Sequence, residues 1–248
     1  MKGASLLLWA LTATATDLLA GWANPPKLVY ATYLGPAGAG PGIALDSAAF
    51  AYVAGSLDCP IWRVSPSGAS AVCLGAHLLS APVTAIARDD AGALYALASS
   101  YSGPSTVAKL SPDGSHVFYS TVIPGMGGRS ISVDRFGNAY LAGDGNASFT
   151  VTPGAYLQSP DNDGGACAVK LNFAGQIEYA TYVGGSYANA IAVDSRGQAW
   201  ITGSSSGLAG SGTFVRKLDA AGGKLLASNG FGGGLVYHQP TPMALLRP

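Results

Sequence analysis

One short pattern occurs four times in this sequence, and it constrains the fold more than any other feature. Each copy has an apolar run that ends in Asp, a turn that usually carries Gly three residues later, and a second apolar run that contains Tyr or Trp. The copies are IALDSAAFAYVAGS from Ile43, IARDDAGALYALAS from Ile86, ISVDRFGNAYLAGD from Ile131 and IAVDSRGQAWITGS from Ile191. Two apolar runs joined by such a turn are typical of a β-hairpin. The sequence therefore predicts the same hairpin four times.

Two more strands recur after each hairpin. The first ends in a basic and then a hydrophobic residue before a four-residue turn ending in Gly, and the second is rich in aromatic residues and Thr. The basic residues and their turns are Arg63 with SPSG, Lys109 with SPDG, Lys170 with NFAG and Lys217 with DAAG. The second strand reads FYSTVIPG from Phe118 and EYATYVGG from Glu178, and the related KLVYATYLG from Lys27 precedes the first hairpin.

The repeat length indicates the architecture. The hairpins start 43, 45 and 60 residues apart, and a period of about 40 to 50 residues with four short strands is typical of a β-propeller blade. The longest spacing comes from an insertion at residues 146–166, rich in Gly, Pro and Asp, which we expect to be a surface loop rather than part of the core. The 35 Gly, 15 Pro and 10% charged residues also favour an all-β chain.

Specific phrases carry a family resemblance. YATYVGG, IAVDSRGQAWITGS, TPGAY from Thr152 and AVKLNFAGQIEYATYVGG resemble the bacterial β-propeller repeats called SBBP repeats, over most of residues 27–234. The first copy departs by having Ala49 at the turn Gly, and the second lacks the Gly after Leu97. The resemblance implies a β-propeller in an exported protein and implies no particular activity.

The predicted fold is all-β: a β-propeller of about four four-stranded blades, an N-terminal closing-type strand and an incomplete fifth blade that begins near Met243. We expect an arc of a larger ring, with a truncated reading frame as the favoured explanation. Closure as four blades or as a dimer is the alternative. An arc exposes strand edges, through which the chain is predicted to self-associate.

The N-terminus resembles an export signal, with Lys2 followed by an apolar stretch from Ala4. We assign residues 1–23 to a signal peptide, cleaved after Ala15 or Ala23, and residues 24–248 to the propeller repeat domain. The apolar stretch is shorter than the ~18 residues of a spanning helix. The predicted location is therefore outside a bacterial cell or in its envelope, with no membrane span after removal of the signal.

Three cysteines fit an exported protein with at most one bridge. Cys59 and Cys73 flank the SPSG turn at similar distances, so they lie nearly opposite one another across two predicted strands. A disulfide and two buried thiols are both compatible with this spacing. Cys167 has no predicted partner.

Neither repeated charges nor an acidic loop indicates a binding site. The Asp that ends each first strand, at positions 46, 89, 134 and 194, is expected to accept turn N–H groups rather than to bind a cation. The recurrent bases, which could suggest an anion site, are expected to point into solvent. Residues 161–165, DNDGG, lack the further oxygen ligands of a calcium loop.

Four residues are candidates for a functional face. His77 and His238 lie in connections from a fourth to a first strand, which share one face of a propeller with the blade 3 insertion, and Arg129 and Tyr187 are assigned to the same face. No catalytic, cofactor-binding or metal-binding set is predicted, and no cofactor. Equal numbers of basic and acidic residues, 13 of each, disfavour nucleic acid.

The sequence favours a non-enzymatic binding or structural scaffold with a protein or glycan partner. The alternative is a propeller-type lyase or hydrolase that acts on an extracellular polymer. A third hypothesis is a degraded fragment without independent function. Because binding and catalytic propellers share one core pattern, the fold does not choose among these.

Overall fold

The computed structural model describes residues 42–75, 79, 81–99, 104–162, 164–206 and 212–231. Within these ranges the chain forms sixteen β-strands and no helix. The strands are β1 (Ile43–Leu45), β2 (Ala51–Ala54), β3 (Ile61–Val64), β4 (Ala71–Leu74), β5 (Val83–Arg88), β6 (Leu94–Ala98), β7 (Ser105–Leu110), β8 (Val117–Ile123), β9 (Met126–Val133), β10 (Ala139–Gly145), β11 (Ala166–Leu171), β12 (Ile177–Tyr182), β13 (Tyr187–Val193), β14 (Ala199–Ser205), β15 (Gly212–Leu218) and β16 (Leu225–Phe231). The predicted signal peptide, the KLVYATYLG strand and the fifth-blade segment lie outside the described residues.

The strands form four antiparallel sheets of four consecutive strands each, which we call blades 1 to 4. The predicted β-propeller architecture is therefore confirmed. Hydrogen bonds connect the first strands of successive blades: Thr84 Oγ1 of β5 donates to the Gly128 carbonyl of β9, and the Ile191 N–H of β13 donates to Ser130 Oγ of β9. The first strand of each blade is consequently the inner one, at the centre of the arrangement.

Each blade has two chemically distinct faces, because side chains alternate along a strand. The aromatic face carries the Tyr or Trp of the second strand, and the isoleucine face carries the Ile that starts the hairpin pattern. Three apolar clusters join the aromatic face of one blade to the isoleucine face of the next. The pairs at their centres are Tyr52 with Ile86, Tyr95 with Ile131, and Tyr140 with Ile191. The described core is therefore a series of interblade layers.

The expectation that the recurrent basic residues point into solvent is wrong. The side chains of Lys109, Lys170 and Lys217 are between 13 and 19% exposed, and each pairs with a carboxylate of its own blade. Their cationic groups lie over aromatic rings: Lys109 over Tyr95 at 4.9 Å, Lys170 over Tyr140 at 5.4 Å, Lys217 over Trp200 at 4.7 Å and Arg63 over Phe50 at 5.1 Å. Each base faces away from its hydrophobic neighbour, as predicted, but in blades 1 to 3 the next blade covers the face that carries it, and in blade 4 Lys217 is held by Asp194 and the Trp200 ring.

The expectation that the blade 3 insertion stays out of the core is also wrong. Phe149 is buried in the layer between blades 2 and 3, where its ring meets that of Tyr182 edge-to-face at 5.1 Å. Leu157 forms a β-bridge with Tyr182. The insertion shows no periodic apolar pattern, but Phe149 and Leu157 both contact Tyr182 at the end of β12, the fourth strand of the blade.

Packing of the tyrosines predicts a loss of stability at alkaline pH. Burial raises the pKa of Tyr119 to about 12, and the Asp89 carboxylate adds to the shift. Burial also raises the pKa of Tyr95 and of Tyr140. The folded protein therefore holds phenol protons that the unfolded chain releases near pH 10, so the free energy of unfolding is unaffected below about pH 10 and falls above it.

Urea unfolding at several pH values, together with tyrosinate absorbance, measures this effect. The expected decline is up to about 1.4 kcal/mol per pH unit for each shifted tyrosine. Tyr119→Phe should make the decline shallower. A free energy of unfolding that stays constant to pH 11 would contradict the prediction.

Candidate functional site

Arg129, Asp144 and Tyr187 form one cluster where blades 3 and 4 meet. Nε and Nη2 of Arg129 donate to Oδ2 of Asp144 at 2.7 and 2.6 Å. The Arg129 guanidinium also lies 5.0 Å from the centroid of the Tyr187 ring. Arg129 and Tyr187 come from the inner strands β9 and β13, and Asp144 comes from the end of β10. We call these three residues the Arg129 cluster.

A β-bulge places Arg129 in this cluster. On β9, Ser130 pairs with Ala142 and Gly128 pairs with Gly143, so Arg129 is the extra residue. A bulge re-aims the side chain that it inserts. Gly143 permits the bulge, because a Cβ at this position would lie 2.2 Å from the Gly127 carbonyl oxygen. The bulge therefore explains the Gly near the end of the hairpin pattern in blade 3: a side chain there would collide with the backbone of β9.

The same bulge recurs on two other inner strands, β5 and β13. The extra residues are Thr84 on β5 and Asn189 on β13, and Gly203 lies opposite the second, where a Cβ would lie 2.0 Å from the Tyr187 carbonyl oxygen. Arg129 is thus one of a series of inserted residues near the centre of the propeller. Neither the bulges nor Asp144 was predicted from the sequence. The Gly at the end of the hairpin pattern was the available signal in blades 3 and 4, whereas blade 2 forms its bulge with Ala98 at that position.

Asp144 is a carboxylate with opposing influences on its ionisation. Burial raises its pKa above the ordinary value, whereas the hydrogen bonds and charge of Arg129 act in the opposite direction. Replacing Arg129 with Ala should therefore raise the pKa of Asp144 further, because it removes the hydrogen bonds and the positive charge that lower this pKa. Carboxyl carbon chemical shifts in a pH titration measure this change. Arg129→Lys should preserve part of the wild-type value, and an unchanged pKa in Arg129→Ala would contradict the assignment.

The repeated Asp residues accept hydrogen bonds from N–H groups of their own turns, as expected from the sequence. In blade 3, Oδ1 of Asp134 accepts the N–H groups of Phe136 and Asn138, and Oδ2 accepts from Asn138 Nδ2 and the Tyr140 hydroxyl. In blade 1, Asp46 accepts two turn N–H groups and the hydroxyl of the following tyrosine. These carboxylates are used as turn and strand anchors.

The acidic loop of the insertion also has a local partner. Oδ2 of Asp161 accepts the N–H of Gly185 at 2.9 Å, which ties the insertion to the connection between β12 and β13. In the part of the chain that the structure describes, no group of three or more His, Cys, Asp or Glu residues could hold a metal ion. His77 and His238 lie outside the described residues, so the structure places only Arg129 and Tyr187 of the four candidates.

The structure joins Cys59 and Cys73 in a disulfide, with their Cα atoms 5.6 Å apart. Cys73 pairs with Trp62 across β3 and β4, and Cys59 lies just before β3. Cys167 is a buried free thiol. No helix long and apolar enough to cross a bilayer occurs among the described residues.

Comparison with known proteins agrees with this architecture. Residues 126–150 match the β-propeller repeat family called SBBP; they contain β9 and β10, and with them Arg129 and Asp144. No curated protein matches the chain. Hydrazine synthase from Kuenenia stuttgartiensis is 14% identical, with a TM-score of 0.52 over 72% of this chain and 52% of that chain.

Two other solved structures are similar. A protein of unknown function from Bacteroides caccae is 17% identical, with a TM-score of 0.49 over 79% of this chain and 69% of that one. A gluconolactonase from Xanthomonas campestris is 16% identical, with a TM-score of 0.46 over 77% and 61%. The chain spans only about half of the hydrazine synthase chain and about three fifths of the gluconolactonase. At such identities the likeness concerns the fold alone. The chain has a β-propeller fold, and residues 126–150 within it are similar to the SBBP β-propeller repeat.

Proposed function

We propose that this chain is an exported, non-enzymatic binding scaffold, and that a protein or glycan partner contacts the Arg129 cluster. The observation that carries the proposal is how these three side chains are held and how far they are exposed. Arg129 is held by an ion pair and by a ring contact, while the Tyr187 side chain beside it is 46% exposed. A fixed guanidinium next to an accessible aromatic ring is suited to binding.

The chemistry of the cluster supports this choice. Tyr and Arg are enriched at recognition surfaces, because an aromatic ring offers contact area at low entropic cost and a guanidinium offers several directed donors. The pair with Asp144 fixes the Arg129 side chain before a partner arrives, which lowers the cost of ordering it on binding. Asp144 also neutralises the charge, so the surface favours a partner rich in hydroxyl or amide groups over a polyanion.

A glycan array that includes bacterial surface polysaccharides tests the glycan arm. Wild-type protein should bind at least one glycan, and Tyr187→Ala should weaken that binding by about tenfold, equivalent to about 1.4 kcal/mol. Phe173→Ala is the matched control, because Phe173 is an exposed aromatic residue in the turn between β11 and β12, away from the cluster. Equal binding by Tyr187→Ala would contradict the assignment of the cluster.

Photo-crosslinking tests the protein arm. A benzophenone amino acid in place of Tyr187 should capture one defined extracellular protein, and the same group in place of Phe173 should not. Mass spectrometry of every bound glycan after incubation checks for cleavage. Cleavage of the glycan would overturn the non-enzymatic proposal and favour the lyase or hydrolase alternative.

A further inference from the structure

The aromatic face of blade 4 is uncovered at a position that the other blades bury. Tyr52, Tyr95 and Tyr140 are between 0 and 3% exposed, because the next blade packs on each of them. Trp200 occupies the same repeat position in blade 4 and is 40% exposed. The face still resembles a packed one, since the Lys217 ammonium lies over the Trp200 ring as the interior lysines lie over their tyrosines. Blade 4 therefore presents a complete aromatic face.

The isoleucine face of blade 1 is uncovered in the same way. Ile86, Ile131 and Ile191 are between 5 and 8% exposed, whereas Ile43, at the equivalent position, is 62% exposed. Leu45 lies two residues along the same strand face and is 65% exposed. Blade 1 therefore presents an apolar isoleucine face of the kind that the chain buries three times elsewhere.

These two uncovered faces correspond to the two sides of the contact between successive blades. Within the chain, the aromatic face of each blade packs on the isoleucine face of the next, and this contact is made three times. Trp200 and Ile43 are the residues at these two repeat positions that have no partner blade among the described residues. We infer that a second copy of this chain docks head-to-tail, with the isoleucine face of its blade 1 on the aromatic face of blade 4. Heterologous contacts of this kind close into a ring or continue as a chain of copies.

Two departures from the repeat fall on the faces that would meet. A Cβ at the turn residues Gly137 and Gly197 would lie 3.1 and 3.2 Å from the hydroxyl oxygens of Tyr95 and Tyr140 in the preceding blade. In blades 3 and 4 the turn Gly therefore leaves room for a tyrosine hydroxyl, whereas in blade 2 a Cβ at Gly92 would meet the Arg88 guanidinium instead. Blade 1 has Ala49 at this turn position, with φ 63°, and blade 4 has Trp200, which carries no hydroxyl. In the proposed contact, Ala49 of one copy faces Trp200 of the other, so no tyrosine hydroxyl lies beside the Ala49 Cβ.

A second copy is the occupant that the chain itself supplies. The docking buries apolar faces and is distinct from pairing at the outer strand edges, and it does not depend on the Arg129 cluster or its ligand. A protein with both halves of a repeated contact on its surface needs no other component to cover them. The inference is therefore independent of the proposed binding function.

Sedimentation velocity of the full chain over a range of concentrations tests the inference. Wild-type protein should form oligomers, and Ile43→Lys and Trp200→Glu should each weaken their formation at least tenfold. A mixture of the two variants should recover a dimer, because the first keeps the aromatic face and the second keeps the isoleucine face. Phe118→Lys is the matched control and should assemble like wild type, since Phe118 is 61% exposed but lies on the outer strand β8.

Three results would overturn the inference. They are a wild-type chain that is monomeric at the highest concentration, an oligomer that withstands both end-face substitutions, and a mixture that does not recover a dimer. Hydrogen exchange gives a second readout. Amides near Ile43 and Trp200 should lose protection on dilution; protection that persists in the monomer would mean that terminal segments of the same chain cover these faces.

Discussion

Replacing Asp134 with Ala is expected to lower the free energy of unfolding by about 3 kcal/mol. The carboxylate is nearly buried and accepts four hydrogen bonds, two from backbone N–H groups of its turn and two from the Asn138 and Tyr140 side chains. Hydrogen bonds to a charged group contribute more than neutral ones, and donors left unpaired in a buried site add a desolvation cost. The turn that starts β10 therefore depends on this one side chain.

Urea unfolding followed by circular dichroism measures the loss. Asp90→Ala is the matched control: Asp90 follows the equivalent Asp of blade 2, is exposed, and should change stability by no more than about 0.5 kcal/mol. Asp134→Asn should lie between the two, because the amide keeps an acceptor for the turn but loses the charge. A loss for Asp134→Ala as small as that for Asp90→Ala would show that the turn does not need the carboxylate.

The hairpins were predictable because their signals are local. An Asp that accepts N–H groups two and four residues later, followed by a Gly with positive φ, sets the turn from residues that are close in the sequence. Asp134 and Gly137 show this arrangement in blade 3, where the Gly137 N–H also donates to the Asp134 carbonyl. The four-strand unit followed from the repeat in the same way.

The environment of the faces was not predictable from alternation alone. Alternation indicates that Lys109 and Leu110 point to opposite faces, but it does not indicate whether a neighbouring blade covers the second face. The same limit applies to the insertion, where the position of Phe149 depends on contacts with blades that are distant in sequence. Both errors came from treating one blade as if it had a solvent face.

The candidate site was predictable only in part. Arg129 and Tyr187 were named as candidates for one functional face, and the structure places their side chains in contact. Asp144 was missed, because its meeting with Arg129 depends on an inserted residue in β9. Sequence spacing cannot show a bulge, since the extra residue is visible only when two strands are paired.

Replacing Tyr140 with Ala is expected to lower the free energy of unfolding by about 3 to 5 kcal/mol. The side chain is fully buried in the layer between blades 3 and 4, its hydroxyl donates to Asp134, and Lys170 lies over its ring. Removing it leaves a cavity and also removes a donor from Asp134. Tyr140→Phe should cost about 1 kcal/mol, because it removes only the hydrogen bond.

Trp200→Ala is the informative comparison, because Trp200 has the same repeat position but its face is uncovered. Measured by urea unfolding at low protein concentration, it should cost less than half as much as Tyr140→Ala. At a concentration where the wild-type chain self-associates, its cost should rise, since the substitution then also removes contacts with the second copy. Equal losses for the two variants in dilute monomer would mean that another part of the same chain covers Trp200, and the head-to-tail contact would be wrong.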